Sequence, residues 1–263
     1  MPYVPNSVAG GVPLLRFEQV SKSYPDGRRR VSVLDRVSFE VHAGERVGIL
    51  GSRRSGKSTL LRLAAGIHAP DDGRVEFEGH DLARMHSVRR ERLLRSRIGL
   101  LASDDWHPAR GERVVDLVAL PLLSDGATMH EARSRARKVL SAVDASDCAD
   151  DIAGPLATSE RMRVMLARAL VREPALLLVD EPATVPGPSE REALYSQLRD
   201  GAARHRAALV VASEDTEVGR GSDVLMSIGD GELVRVGDEP ANVVPFPPRP
   251  APRPPGGLER TGL

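Results

Sequence analysis

G-S-R-R-S-G-K-S-T, residues Gly51 to Thr59, follows directly on the apolar run Val47-Gly48-Ile49-Leu50 and opens a stretch of helical periodicity from Lys57 to Ala65. Strand, tight glycine-flanked loop and helix, in that order, are what a phosphate-binding loop requires. The loop turns successive backbone N–H groups inward, and the helix N-terminus adds its dipole. In such a loop Lys57 reaches the β- and γ-phosphates and the Ser58 hydroxyl can ligate Mg²⁺. Gly51, Ser52, Arg53, Arg54, Ser55, Gly56, Lys57, Ser58 and Thr59 are therefore the candidate nucleotide-binding residues.

The rest of the chain limits what surrounds this loop. Its 263 residues suit one sizeable domain or two small ones, with ample apolar content for a core, and 37 basic against 37 acidic residues leave no net field to attract nucleic acid or an anionic membrane. The lysines are Lys22, Lys57 and Lys138, all other basic residues being arginine. A single cysteine, Cys148, cannot form an internal disulfide and suits a reducing compartment. No segment has the length of uncharged sequence that a membrane span needs, and the N-terminal residues lack the pattern of a signal peptide. A role at a membrane would require a partner.

Residues 1–12 are rich in glycine, proline and valine and are expected to be loosely ordered. Leu14 to Val20 and Arg28 to Val41 alternate as strands, and Pro70-Asp71-Asp72-Gly73 is a turn before alternating Val75 and Phe77. The segment from about 82 to 160 is arginine-rich with helical periodicity, notably from His130 to Val143, and reads as an inserted helical subdomain. Ala175 to Val179 and Ala207 to Ala212 are all-apolar runs of the kind buried on both faces of a parallel sheet, with a helix from Ser189 to Leu198 between them. Residues 238–263 are too proline-rich to pack and read as a disordered or polyproline tail.

The run L-L-L-V-D-E-P, Leu176 to Pro182, places two carboxylates at the C-terminal end of a buried strand, where α/β sheets bind ligands. Asp180 would hold Mg²⁺, and Glu181 would orient and polarise an attacking water. Together with the phosphate loop these residues resemble the ATP-binding subunits of ABC transporters. The similarity covers roughly residues 13–237 and includes V-S-K-S-Y, Val20 to Tyr24, with Tyr24 at the position of the aromatic that stacks on adenine. It also includes V-L-D-R-V-S-F-E-V-H-A-G-E-R-V-G-I-L-G ahead of the loop, while R-V-V-D-L-V-A-L-P-L-L, Arg113 to Leu123, is similar to the lipoprotein-release and macrolide-export branch. The resemblance implies an α/β P-loop NTPase core with an antiparallel β subdomain and an inserted helical subdomain. It further implies Mg²⁺ and ATP as ligands, an ATPase acting as a dimer, and a separate integral-membrane permease that holds the chain at the inner face of the cell membrane.

Four motifs, at six positions, depart from the family pattern. Ser103 stands where a glutamine normally senses the γ-phosphate, and Gly187 where an aspartate joins the two subunits. The signature L-S-G-G-[QE] becomes L-A-T-S-E, Leu156 to Glu160: Ala157 removes a hydroxyl, and Thr158 and Ser159 add side chains where glycines allow close approach. Thr158 or Ser159 is expected to cap the helix that follows. Glu214 replaces the switch histidine. At about 4 Å from a phosphate and an effective dielectric near 20, a carboxylate there would be repelled by roughly 4 kcal/mol, so Glu214 must turn away, be protonated or disfavour the closed ATP state. Arg54 replaces a glycine of the loop itself, with a strain of about 1–3 kcal/mol if the position needs positive φ. In the resembling proteins each nucleotide lies between one subunit's loop and the other's signature, so a homodimer would carry both defects twice. A heterodimer with a more regular subunit, or a weak homodimeric ATPase, is the expected assembly, with no nucleic-acid partner. The alternative is a degenerate module that binds ATP and hydrolyses it slowly or not at all.

Overall fold

The computed structural model describes residues 12–27, 29–102, 106–182 and 187–237. Ser103, residues 1–11 and the proline-rich segment 238–263 lie outside the described residues.

The apolar run before the phosphate loop is β3 (Arg46–Gly51), flanked by two parallel neighbours, β8 (Ala208–Ser213) and β9 (Val224–Gly229). Beyond β8 lie β7 (Leu176–Asp180) and β6 (Ile98–Ala102), also parallel, and β10 (Glu232–Arg235) closes the other edge antiparallel to β9. The six-stranded order is β10-β9-β3-β8-β7-β6. Because successive side chains of a strand point to opposite faces, β7 divides cleanly: Leu176 and Leu178 enter one apolar cluster, Leu177 and Val179 the other. Burial on both faces is why these strands read as unbroken apolar runs.

The second sheet is antiparallel, with β1 (Leu15–Asp26), β2 (Arg29–Val41), β4 (Asp72–Phe77) and β5 (His80–Asp81) in the order β2-β1-β4-β5. β1 runs past Val20, where sequence alternation ends, because register shifts around Val20 and Lys22 absorb the break. Phe17, Phe39 and Phe77 fill the space between this sheet and α1 (Lys57–Ala64), which follows the phosphate loop. The Asp35 N–H donates to Gly231 O at 2.8 Å, joining β2 to the hairpin of β9 and β10.

α2 (Ser87–Arg97) leads into β6; α3 (Val114–Ser124), α4 (Met129–Ala142) and α5 (Thr158–Leu170) pack together against the second face of the sheet. Thr128 and Glu131 form a reciprocal capping box at the start of α4, with Thr128 N–H donating to the Glu131 carboxylate at 2.9 Å and Glu131 N–H to Thr128 Oγ1 at 3.3 Å. α6 (Pro188–Arg204) begins with Gly187 as its cap and Pro188 in its first turn, and runs beyond the expected Leu198. Among the described residues no helix is long and apolar enough to cross a membrane.

Candidate nucleotide site

Three adjacent parallel strands bring the site together. β3 ends at the phosphate loop, β8 at Ser213 and β7 at Asp180, with Leu50 opposite Ser213 and Asp180 opposite Ala212 in the ladder. A cavity of 540 Å³ opens at these ends, lined by Val33, Arg53, Arg54, Gly56, Lys57, Ser58, Thr59, Asp180, Glu181 and Glu214. Motifs far apart in the chain thus converge on one space. Three cations, Arg53, Arg54 and Lys57, face three acidic side chains, Asp180, Glu181 and Glu214, across it.

The loop needs its glycines for space and for conformation. A Cβ on Gly51 would stand 2.5 Å from Ser55 Oγ and 2.6 Å from Ile228, and Gly56 adopts φ 106° with Val33 O 2.9 Å from the same position. Gly56 caps α1 without a side-chain hydrogen bond, so the first N–H groups of the helix remain directed at the cavity. Arg54 has φ 67°, the left-handed conformation that a glycine takes without strain.

Lys57 is buried and saturated. Its Nζ donates to Gly51 O and Ser52 O, each at 2.8 Å, and pairs with Glu181 Oε1 at 2.9 Å. An ammonium has three donors, and all three are engaged within the protein. Glu181 itself has φ 48° and is gripped at its other oxygen, where Oε2 accepts from the Glu214 N–H at 3.2 Å and the Ser213 hydroxyl at 3.4 Å.

Asp180 lies partly buried beside Ser58 at the site. Burial raises its carboxyl above the usual range, opposed by the hydroxyl of Ser58 beside it, and its Oδ1 is buried with no hydrogen-bond partner. A hard divalent cation held by Ser58 and Asp180 would satisfy that atom. Among the described residues no cluster of three His, Cys, Asp or Glu forms a protein-only metal cage, so phosphate oxygens and water would complete such a shell.

Glu214 does not turn out of the cavity; it lines it. Tyr24 and the altered signature and subunit-joining positions are placed elsewhere. Tyr24 is not among the lining residues, and its hydroxyl bonds His68 Nδ1 at 2.7 Å. His68 is therefore the half-buried partner of Tyr24; nothing local in the sequence marks a contact across 44 positions. Ala157, Thr158 and Ser159 are exposed at the start of α5, and Gly187 is partly buried at the start of α6; none of them lines this cavity. The expectation of a Thr158 or Ser159 cap is corrected. The cap is Ala157, whose side chain accepts nothing, and the helix start is held by Glu160, which accepts the Ala157 N–H at 2.8 Å. The chain turns into the helix one or two residues earlier than the hydroxyl pattern implies.

Comparison with known proteins agrees with this construction. Residues 34–184 match the family model described as ABC transporter. The chain is 34% identical over 221 residues to the lipoprotein-releasing system ATP-binding protein LolD of Chromohalobacter salexigens, covering 84% of this chain and 92% of that one. It is 35% identical over 221 residues to the cell division ATP-binding protein FtsE of Escherichia coli K12, covering 84% and 97%. Among solved structures, the ATP-binding cassette MJ0796, in a dimeric post-hydrolysis state bound to ADP and Pi, superposes with a TM-score of 0.76 at 24% identity, covering 83% of this chain and 96% of that one. The fold is thus that of an ABC cassette, and by sequence the chain belongs to the ABC transporter family as an ABC-type ATPase related to its lipoprotein-release branch.

Proposed function

We propose that the chain is the ATP-binding subunit of a membrane transporter, hydrolysing Mg-ATP in a dimer to drive a separate permease at the inner face of the membrane. Residues 13–237 form the ATP-binding unit, with the helical subdomain at about 82–160. The observation that carries the proposal is the convergence of Lys57, Ser58, Asp180 and Glu181 on one cavity beside the N-terminus of α1.

The triphosphate would lie across the free N–H groups of the loop and α1, and Lys57 would exchange Glu181 for a phosphate oxygen. That exchange frees the Glu181 carboxylate to take a proton from water as the water attacks the γ-phosphoryl group and ADP leaves. Mg²⁺, held by Ser58 and Asp180, would neutralise charge developing on the phosphates. Arg53 and Arg54 add positive charge at the same mouth.

Glu214 favours a second element of the reading: slow turnover by this chain alone. Glu214 lines the cavity in which phosphate would sit, and Ala157, Thr158, Ser159 and Gly187 would present an altered surface to a partner's nucleotide. We infer a heterodimer with a more regular subunit, the altered signature serving the partner's site. In the limiting case the chain binds ATP to stabilise the complex without hydrolysing it. The test is titration of the purified chain with a fluorescent ATP analogue. Saturation below millimolar concentration, lost on Lys57→Ala, is expected, and failure to bind at millimolar concentration contradicts the proposal.

A further inference from the structure

Tyr195, on α6, is 4% exposed and packs in the core beneath the site. Its phenolic oxygen is fully buried, lies against Ser213 and makes no well-formed hydrogen bond. Burying a hydroxyl where an apolar ring would pack as well is unfavourable unless the oxygen serves something. Ser213, the last residue of β8, is wholly buried. Its Oγ accepts the Asp215 N–H at 3.1 Å and its proton is directed at Glu181 Oε2 at 3.4 Å. A hydroxyl has one proton and two lone pairs, so with these two commitments made one lone pair of Ser213 remains, and Tyr195 is the donor beside it. Burial pushes the Tyr195 phenol up to about 12, so it stays protonated.

We propose that Tyr195 and Ser213 are positioning residues for Glu181, forming a chain in which Tyr195 O–H donates to Ser213 Oγ and Ser213 O–H donates to Glu181 Oε2. With Oε2 held from the β8 side by Ser213 and by the Glu214 N–H, Oε1 is the oxygen left to face the cavity. It is the oxygen that contacts Lys57. The phenol strengthens the serine's bond by polarising it, as neighbouring hydrogen bonds in a low-dielectric interior do. The inference rests on the reading of Glu181 as the group that activates water.

The test uses the full-length chain with Tyr195→Phe, Ser213→Ala and Ser213→Thr, measuring steady-state ATP turnover alongside affinity for a fluorescent ATP analogue. Tyr195→Phe deletes one oxygen and keeps the packing, so it isolates the hydroxyl from folding. The expected kcat falls by about 3- to 10-fold for Tyr195→Phe and by about 10- to 100-fold for Ser213→Ala. Nucleotide affinity should stay within about twofold, and Ser213→Thr should restore the rate. The double variant Tyr195→Phe/Ser213→Ala should be no slower than Ser213→Ala, because the phenol acts through the serine. Unchanged kcat in Tyr195→Phe, a loss confined to nucleotide affinity, or additive losses would overturn the inference while leaving hydrolysis standing. A wild-type chain that binds nucleotide and never turns it over, alone or with a partner subunit, would overturn the hydrolysis reading and this inference with it.

Discussion

Lys57 Nζ lies 2.9 Å from Glu181 Oε1, with the lysine side chain 5% exposed. The residue expected to hold phosphate and the residue expected to activate water are each other's partners. Phosphate must compete with a carboxylate for one ammonium, and a charge-assisted bond is stronger than a neutral one by about 0.5–1.5 kcal/mol. Glu181→Gln is therefore expected to tighten ATP binding by about three- to tenfold and to lower turnover by about 10²- to 10⁴-fold. Equilibrium binding and single-turnover rates on the same preparation check both effects. Weaker binding in the glutamine variant would contradict the competition.

Glu214 stands at the mouth of the same cavity. Glu214→His replaces a repelled carboxylate with a donor, and a donor placed at developing phosphate charge commonly contributes a factor of about 10² or more. Turnover is expected to rise by at least about tenfold on this substitution, with a smaller gain in ATP affinity. Rates measured at saturating Mg-ATP test this, and an unchanged rate would show that the slow step lies elsewhere.

The N-terminus of α5 has an alanine cap, and Glu160 alone closes the first turn. Ala157→Ser supplies the missing acceptor and is expected to stabilise the fold by about 1 kcal/mol, seen as a rise in Tm of about 2–4 °C. The same change restores the hydroxyl of the signature, so a partner's ATP turnover is expected to rise in the mixed complex. Calorimetry and a mixed-subunit assay separate the two consequences.

His68 is held below its ordinary pKa, first by burial and then by the charges of Arg62 and Lys22, and its neutral ring bonds Tyr24. With the folded value below the unfolded value of about 6.5, the unfolded chain binds the proton first. The contribution of His68 to stability is thus complete above about pH 6.5 and declines as the pH falls towards the lower folded value. Melting temperatures at pH 7.5 and 5.5 should differ less in His68→Gln than in the wild type. An equal difference would show that the histidine is not responsible.

The phosphate loop and the L-L-L-V-D-E-P run were legible because strand, glycine spacing and buried periodicity are local properties, and the parallel sheet brings those two ends together. The mutual pairing of Lys57 and Glu181, and the contact of Ser213 with Glu181, depend on side chains 124 and 32 positions apart. No local pattern encodes such distances. The cap at Ala157 was missed for a different reason: adjacent hydroxyls suggested a cap at Thr158 or Ser159, while tertiary packing of α5 against α3 and α4 set where the helix begins. Tyr24 read as an aromatic by motif position; its bond to His68 required the fold of β1 over the end of α1.

Under the proposed function this chain binds ATP with intact loop chemistry while its altered positions slow hydrolysis. The most direct measurement is the steady-state ATP turnover of the purified full-length chain without a partner, at saturating Mg-ATP. A rate below about 0.1 s⁻¹, some 10²-fold under the ordinary enzyme median of about 10 s⁻¹, is the expected result. A rate near that median, abolished by Glu181→Gln, would contradict it.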